Sequence, residues 1–135
     1  RMIAFHTAHK FLLMAHSPKH YTQMGQLVAA IKTYTPADFK AEYRALLMEG
    51  LAVKTTARKN VNVLLHIMGF LKKQLTSEEK KDILATIDDY HRELVPLVVP
   101  LTLVKHYIDK HGVEYIRDQV YLNPHPKELM LRNHV

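Results

Sequence analysis

The most apolar stretch of the chain carries four polar side chains at helical steps of four or seven residues. These are Arg58, Asn62, His66 and Lys73. On the helix that the apolar spacing predicts over residues 58–75, all four share one side. A buried polar group without a partner costs about 1–3 kcal/mol, so this polar strip meets either internal hydrogen-bond partners or a wet functional surface. For His66 the internal alternative is a hydrogen-bonded core histidine.

The same residue types elsewhere in the chain predict a nucleic-acid site. Lysine and arginine neutralise phosphates, amide and imidazole groups make polar contacts, and tyrosine rings stack on bases. The further candidates are Lys10, His16, Lys19, His20, Tyr21, Lys54, Lys59, His106, Tyr121, Arg132 and Asn133. The alternative for the two tyrosines is core packing. For Arg132 with Asn133 it is a structural clamp, in which the guanidinium fork holds a buried carboxylate or backbone carbonyls.

Charge is distributed unevenly along the chain. Residues 1–75 contain 11 lysines and arginines against 3 acidic residues, a net charge of +8, whereas residues 76–135 contain 8 against 10, a net charge of −2. Such an asymmetry indicates a polyanionic partner for the first half. The alternative is an ordinary basic surface.

Signatures of catalysis and metal binding are sparse. Because the chain has no cysteine, it can form no disulfide, thiolate nucleophile or cysteine-ligated cluster. Two pairs of histidines have the spacing of ligands on a helix, namely His6 with His9 and His16 with His20. No His-Glu-x-x-His pattern accompanies them, so we expect hydrogen-bonded or surface histidines and no bound metal. A glycine-rich phosphate loop and a Gly-x-Ser-x-Gly turn are also missing, so we expect no catalysis by this chain alone.

Helix signals, and the lack of strand-like alternation, predict an all-α fold. The boundary signals are the cap-and-proline pairs Ser17-Pro18 and Thr35-Pro36, the capping-box pair Thr76 and Glu79, and the stop at Gly112. The predicted helices end near Ala15, Lys32, Ala52, Leu75, Glu93, Lys110 and Tyr121. We expect a single-domain bundle of about six or seven helices around the apolar helix of residues 58–75. Gly25, inside the second helix, is expected to allow a close helix contact.

The overall properties of the chain are those of one domain. Its length of 135 residues favours a single core, and no apolar run approaches the roughly 18 residues that span a bilayer. No signal peptide is visible at this start, so we expect a cytoplasmic protein with no membrane contact. The chain begins at Arg1 rather than methionine and a helix starts at once, which suggests a domain excised from a longer protein.

Four stretches resemble the YbgA-like domain family, which has long been known as a domain of unknown function. They are FHTAHKFLLMAHSPKHYTQMGQLVA (5–29), NVNVLLHIMGFLKKQL (60–75), PLVVPLTLVKHY (96–107) and QVYLNPHPKELMLRN (119–133). Each stretch alone is weak, but the combination is distinctive and spans nearly the whole chain.

The resemblance implies an accessory role in RNA chemistry. Domains of this family often follow a desulfidase domain that carries a four-iron cluster and removes sulfur from thiolated uracil. We therefore expect RNA binding, in particular of tRNA with 4-thiouridine, for a desulfidase in the same chain or in a partner. The iron–sulfur cluster belongs to that desulfidase, because its cysteines are absent here. Similar proteins can carry histidine at the position of Asn60, so a ligand contact made by that histidine would be missing here.

Two other functions remain open from the sequence. A protein-docking scaffold for a desulfidase domain would expose an apolar patch of several hundred Å². A small-molecule protein or enzyme that takes a nucleotide-like ligand would gather His16, Tyr21, His66 and His106 around a deep pocket. A continuous basic face would instead favour RNA.

Overall fold

The computed structural model describes residues 1–123, which form seven α-helices and two short 3-10 turns. In chain order the helices are α1 (Met2–His16), α2 (Pro18–Ala29), α3 (Pro36–Ala52), α4 (Ala57–Leu71), α5 (Ser77–His91), α6 (Val98–His111) and α7 (Glu114–Arg117). The 3-10 turns span Ile31–Thr33 and Val120–Leu122. The all-α prediction is confirmed, and no β-strand occurs within residues 1–123.

Side chains at the helix starts fix where the helices begin. Ser17 and Thr35 each accept a hydrogen bond from the backbone N–H three residues later, and a proline occupies the first helical position after each. Thr76 and Glu79 form a complete capping box at the start of α5. α6 ends at Gly112, whose φ of 63° is left-handed and therefore suits glycine. All four predicted boundaries are confirmed.

Other helix ends differ from the prediction. α2 ends at Ala29 rather than near Lys32, because the chain tightens into the first 3-10 turn. The central helix α4 ends at Leu71 rather than near Leu75. In α6, which begins at Val98, Pro100 lies in the first turn, where the missing N–H leaves no helical hydrogen bond unmade. The helix predicted to run to Tyr121 is only the short α7, followed by the second 3-10 turn.

Two groups of buried side chains hold the helices together. The larger group joins α1, α4, α5 and α6 with the chain after α6, and Leu64 and Ile67 of α4 are fully buried in it. The smaller group joins α1 to α2 and α3. α1 contributes Phe11 to the first group and Leu13 to the second, and full burial of such a side chain contributes roughly 1.5–3 kcal/mol. The central position predicted for the apolar helix is confirmed. No helix within the described part of the chain is long and apolar enough to cross a membrane.

One close contact between helices depends on a glycine, but not on the predicted one. Gly25 is exposed, and among the described residues no atom outside its own helix lies within 4 Å of the position that a Cβ would take. The prediction of a close contact there is wrong. At Gly50 of α3, a Cβ would lie 2.8 Å from Leu13 Cδ1 and 2.9 Å from His20 Cβ. Gly50 therefore lets α3 approach both α1 and α2 closely.

Candidate nucleic-acid interface

The polar strip predicted on the central helix lies on the surface. Arg58, Asn62 and His66 of α4 are all exposed, and the buried side chains of the helix occupy the opposite side. Steps of four residues keep the three side chains together because a helix turns once every 3.6 residues. Lys73 is also exposed, but in the turn after α4. The core-histidine alternative for His66 is therefore wrong.

Lys59 ties together two connecting segments beside the start of α4. Its ammonium donates hydrogen bonds to the carbonyl oxygens of His16, at the end of α1, and Lys54, in the α3–α4 connector, both at 2.9 Å. His16 in turn bonds through Nδ1 to the carbonyl of Val53 at 2.9 Å. The polar groups of Lys59 and His16 are thus used to hold the chain in place.

Exposed cations flank this junction. Lys19 lies in the first turn of α2, Lys54 in the α3–α4 connector and Arg58 in the first turn of α4, and all three are exposed. Within residues 1–123, no lysine or arginine of the first 75 residues forms an ion pair with a carboxylate. Cations that lack a protein partner produce the positive potential that attracts anionic ligands.

Three of the predicted contact residues are wholly or partly enclosed by the fold. His20 is buried, with Nδ1 2.7 Å from Ser17 Oγ. Tyr21 is half-buried and packs against both core groups. Tyr121 is 0% exposed, and its hydroxyl donates to the side-chain oxygen of Asn60 at 2.7 Å. Core packing therefore describes both tyrosines, and base stacking by Tyr121 is wrong because no part of its ring reaches the surface.

Asn60, at which the family resemblance implies a missing ligand contact, lies in the core of the domain. It is 0% exposed, donates to the hydroxyl of Tyr90 at 3.2 Å and accepts from the hydroxyl of Tyr121. The side chain thus joins α4 to α5 and to the second 3-10 turn. In this chain the position has no surface with which to contact a ligand.

The histidines near the chain's start make hydrogen bonds within the protein. His6 Nδ1 lies 3.1 Å from the hydroxyl of Tyr43, and His9 Nδ1 lies 2.8 Å from the carbonyl of Phe5. Burial, followed by the neighbouring charge of Lys10, lowers the pKa of His6, and burial raises the pKa of Tyr43 to about 12. Across residues 1–123, no three His, Asp or Glu side chains are grouped closely enough to hold a metal ion.

His106 lies apart from the α4 strip, in a groove between α5 and α6. The groove has a volume of about 590 Å³ and is lined by Thr86, Val98, Val99, Thr102, Leu103 and His106. Of the four residues predicted to surround a nucleotide-like ligand, it contains only His106. This groove is therefore not the pocket that the small-molecule interpretation predicted. Arg132 and Asn133 lie outside the described residues, so their interface and clamp interpretations stay predictions.

Two exposed aromatic residues near the strip were missed by the sequence analysis. Phe70 of α4 is 41% exposed and Tyr115 of α7 is 58% exposed, with their ring centroids 5.3 Å apart. The ammonium of Lys10, a predicted contact residue, donates to the Tyr115 hydroxyl at 2.8 Å. The spacing could have identified Phe70, which follows His66 by four residues, but nothing local connects Tyr115 with α4.

These features define an all-helical domain whose central helix carries an exposed, partly cationic strip. The chain belongs to the family described as "Protein of unknown function (DUF1722)", whose model matches residues 10–126. It is 29% identical over 133 residues to the uncharacterized protein YbgA of Escherichia coli (strain K12), a match that covers 98% of this chain and 79% of that protein. The resemblance to the YbgA-like family is thereby confirmed. No solved structure matches the chain.

Proposed function

We propose that this domain binds RNA, in particular tRNA containing 4-thiouridine, as the accessory partner of a desulfidase. The observation that carries the proposal is the exposed row of Arg58, Asn62 and His66 on α4. Phosphates supply counter-charge to the cations of such a row, and amide and imidazole groups bond to bases or to the 2′-hydroxyl.

The unpaired cations around α4 support the same function. Lys19 and Lys54 are exposed on segments that meet at the first turn of α4, and no described carboxylate neutralises them. A phosphate backbone laid along α4 would meet these charges first and then the polar strip. The proposed contacts are Lys10, Lys19, Lys54, Arg58, Asn62, His66 and Lys73.

A salt-dependent titration tests the proposal. We expect tRNA to bind saturably at low salt, with an association constant that falls by a logarithmic slope of roughly 0.7–0.9 for each phosphate contact. Arg58→Ala should remove about one such contact, which lowers affinity roughly five- to eightfold at 0.1 M salt. The same titration with tRNA lacking the sulfur shows whether thiolation is recognised.

Arg92→Ala is the matched control. Arg92 is also an exposed arginine, directly after α5, but its guanidinium lies 3.6 Å from the carboxylate of Asp88. We expect its loss to leave both the affinity and the salt slope almost unchanged. No saturable binding of tRNA by the unsubstituted chain at low salt contradicts the proposal, as do equal effects of the two substitutions.

The groove between α5 and α6 favours a second candidate, a docking scaffold for a desulfidase domain. Val98, Val99 and Leu103 line it with apolar groups, and Val99 is exposed there, so an apolar side chain of a partner could enter the groove. A purified desulfidase domain that binds the chain, but not its Val99→Asp variant, would support docking. If tRNA also fails to bind at low salt, docking replaces RNA binding as the function.

A further inference from the structure

An exposed aromatic cluster formed by Lys10, Phe70 and Tyr115 lies at the far end of the α4 strip from Arg58. Phe70 and Tyr115 contact each other with an interplanar angle of 40° and both remain substantially exposed. Phe70 is four residues beyond His66, so the row Arg58, Asn62, His66 continues into it along roughly 18 Å of helix. The strip thus changes from polar to aromatic at one end.

Three helices build the cluster. Phe11 of α1 packs edge-on beneath Phe70 of α4, with 5.9 Å between their ring centroids. The ammonium of Lys10 lies 5.8 Å from the ring centroid of Phe70 and 4.8 Å from that of Tyr115. Because it also donates to the Tyr115 hydroxyl, Lys10 of α1 holds α7 in place beside the ring of Phe70. The two outer rings are therefore fixed by the fold while still open to solvent.

We propose that Phe70 and Tyr115 form a stacking platform for one unpaired RNA base, with the Lys10 ammonium at the edge of the platform. This inference rests on the proposed function, because the polar strip would hold the backbone of the same RNA. Aromatic rings accept any base on their faces, and a cation at the ring edge adds attraction for the phosphate of the stacked nucleotide.

A nucleobase fits this platform better than a protein partner does. Lysine is depleted at the centres of protein–protein interfaces, whereas here the Lys10 ammonium lies beside the rings of Phe11, Phe70 and Tyr115. The nearby carboxylate of Glu114 lies 3.7 Å from the guanidinium of Arg117. This ion pair partly neutralises the carboxylate and so weakens its repulsion of a phosphate. A ring platform beside a cation is the usual arrangement for single-stranded nucleic acid.

Tyr115→Trp provides a direct test, because the chain contains no tryptophan. In this variant the platform carries the only indole, whose fluorescence is quenched when a base stacks on it. The ligands are tRNA, a single-stranded oligoribonucleotide, and a fully paired RNA duplex of the same length as the oligonucleotide. We expect quenching by the first two and little by the duplex, whose bases are already stacked on each other.

Affinity measurements separate stacking from charge. Tyr115→Ala should weaken tRNA binding about tenfold, a size typical of one stacked base, and leave the salt slope unchanged. Tyr115→Phe keeps the ring and loses only the hydroxyl bonded to Lys10, so it should bind almost as the unsubstituted chain does. A thermal melt of each variant establishes that it is folded.

The outcomes for the platform and for RNA binding are distinct. If the unsubstituted chain does not bind tRNA, both proposals are overturned. If it binds, but the indole fluorescence of the Tyr115→Trp variant does not respond or Tyr115→Ala binds equally well, only the platform is overturned. Quenching by a desulfidase domain rather than by RNA would likewise overturn it and identify the cluster as a protein-docking surface.

Discussion

Charged side chains are arranged in opposite ways at the start of α4 and at the start of α5. Beside α4, exposed cations such as Arg58 have no carboxylate partner among residues 1–123. At α5, the carboxylate of Glu79 accepts hydrogen bonds from Lys110 at 2.8 Å and from the backbone N–H of Thr76 at 2.9 Å, and contacts His111 at 3.0 Å. Beside α4, the positive charges are not neutralised by carboxylates of the described residues. At the start of α5, the negative charge of Glu79 joins α5 to α6.

This difference has a thermodynamic consequence. The hydrogen bond from Lys110, followed by that from the Thr76 N–H, lowers the pKa of Glu79 from 4.5 to about 2, and Glu79 in turn raises the pKa of Lys110. The folded state therefore favours the ionised carboxylate, and its charge stabilises the fold. Substitutions at α5 should thus change stability, while substitutions of the exposed cations at α4 should change binding.

Glu79→Ala is expected to give the largest effect in this comparison. Glu79 is only 7% exposed. The substitution removes three of its contacts at once: the hydrogen bond from the Thr76 N–H in the capping box, the ion pair with Lys110 and the contact with His111. We expect a clear fall in the thermal midpoint at pH 7, measured by circular dichroism. At temperatures at which the variant is still folded, its affinity for RNA should equal that of the unsubstituted chain. A midpoint equal to that of the unsubstituted chain would contradict this account.

The pH dependence of stability gives a sharper form of the same test. Because the pKa of Glu79 is lowered on folding, its contribution is complete above about pH 4.5 and is lost as the pH falls towards 2. Glu79→Gln retains an oxygen for the Thr76 N–H but carries no charge. We expect Glu79→Ala and Glu79→Gln to lose less stability than the unsubstituted chain does as the pH falls from about 4.5 towards 2. At pH 7, Glu79→Gln should be the more stable of the two variants.

Asn60→Ala comes next, in the core beneath the exposed strip. It loses the hydrogen bonds to Tyr90 and Tyr121 and leaves a small cavity at a position that is 0% exposed. We expect a loss of about 2–4 kcal/mol in the free energy of unfolding, measured with urea. If the variant instead remains stable and loses RNA affinity, Asn60 contacts the ligand and the separation between core and strip is wrong.

The features of the fold that were predictable from the sequence are those determined locally. Ser17, Thr35 and Thr76 cap helices by accepting hydrogen bonds from backbone N–H groups only three residues away. The sequence pattern therefore predicts these helix starts whatever the rest of the fold is. The strip on α4 is local in the same sense, since its members are four residues apart. Its exposure could not be read from the sequence, because that depends on which side of α4 the helices α1, α5 and α6 cover.

The rest of the candidate site depends on contacts distant in sequence. Lys10 and Tyr115 are separated by 105 positions, yet they form a hydrogen bond across α1 and α7. Lys59 looks like a phosphate contact because it is basic and next to Arg58, but its ammonium reaches back to the carbonyl of His16. Residue type and spacing therefore identify candidates, and only the packing of the helices decides which candidates are already used by the fold.

Lys59→Met tests that distinction among neighbouring cations. Methionine keeps most of the length of the side chain but cannot donate to the carbonyls of His16 and Lys54. We expect a loss of about 1–2 kcal/mol in the free energy of unfolding and little change in the salt slope of tRNA binding. A drop in the slope as large as that of Arg58→Ala, without a loss of stability, would instead make Lys59 a phosphate contact.

Lys54→Gln should have the smallest effect on the fold and so isolates binding most cleanly. The side chain is exposed, and the bond to Lys59 uses only its backbone carbonyl. Stability should stay within about 0.5 kcal/mol of that of the unsubstituted chain. Affinity for tRNA should fall roughly five- to eightfold at 0.1 M salt, with a slope reduced by about 0.7–0.9.

Lys81→Gln is the control for Lys54→Gln, because Lys81 is an exposed lysine of the same kind on α5. Both substitutions remove one positive charge, so a non-specific attraction to the whole molecule would weaken equally in the two variants. A contact made along α4 weakens only with Lys54→Gln. Equal losses would mean that RNA responds to net charge alone, and the position of a cation beside α4 would then have no bearing on binding.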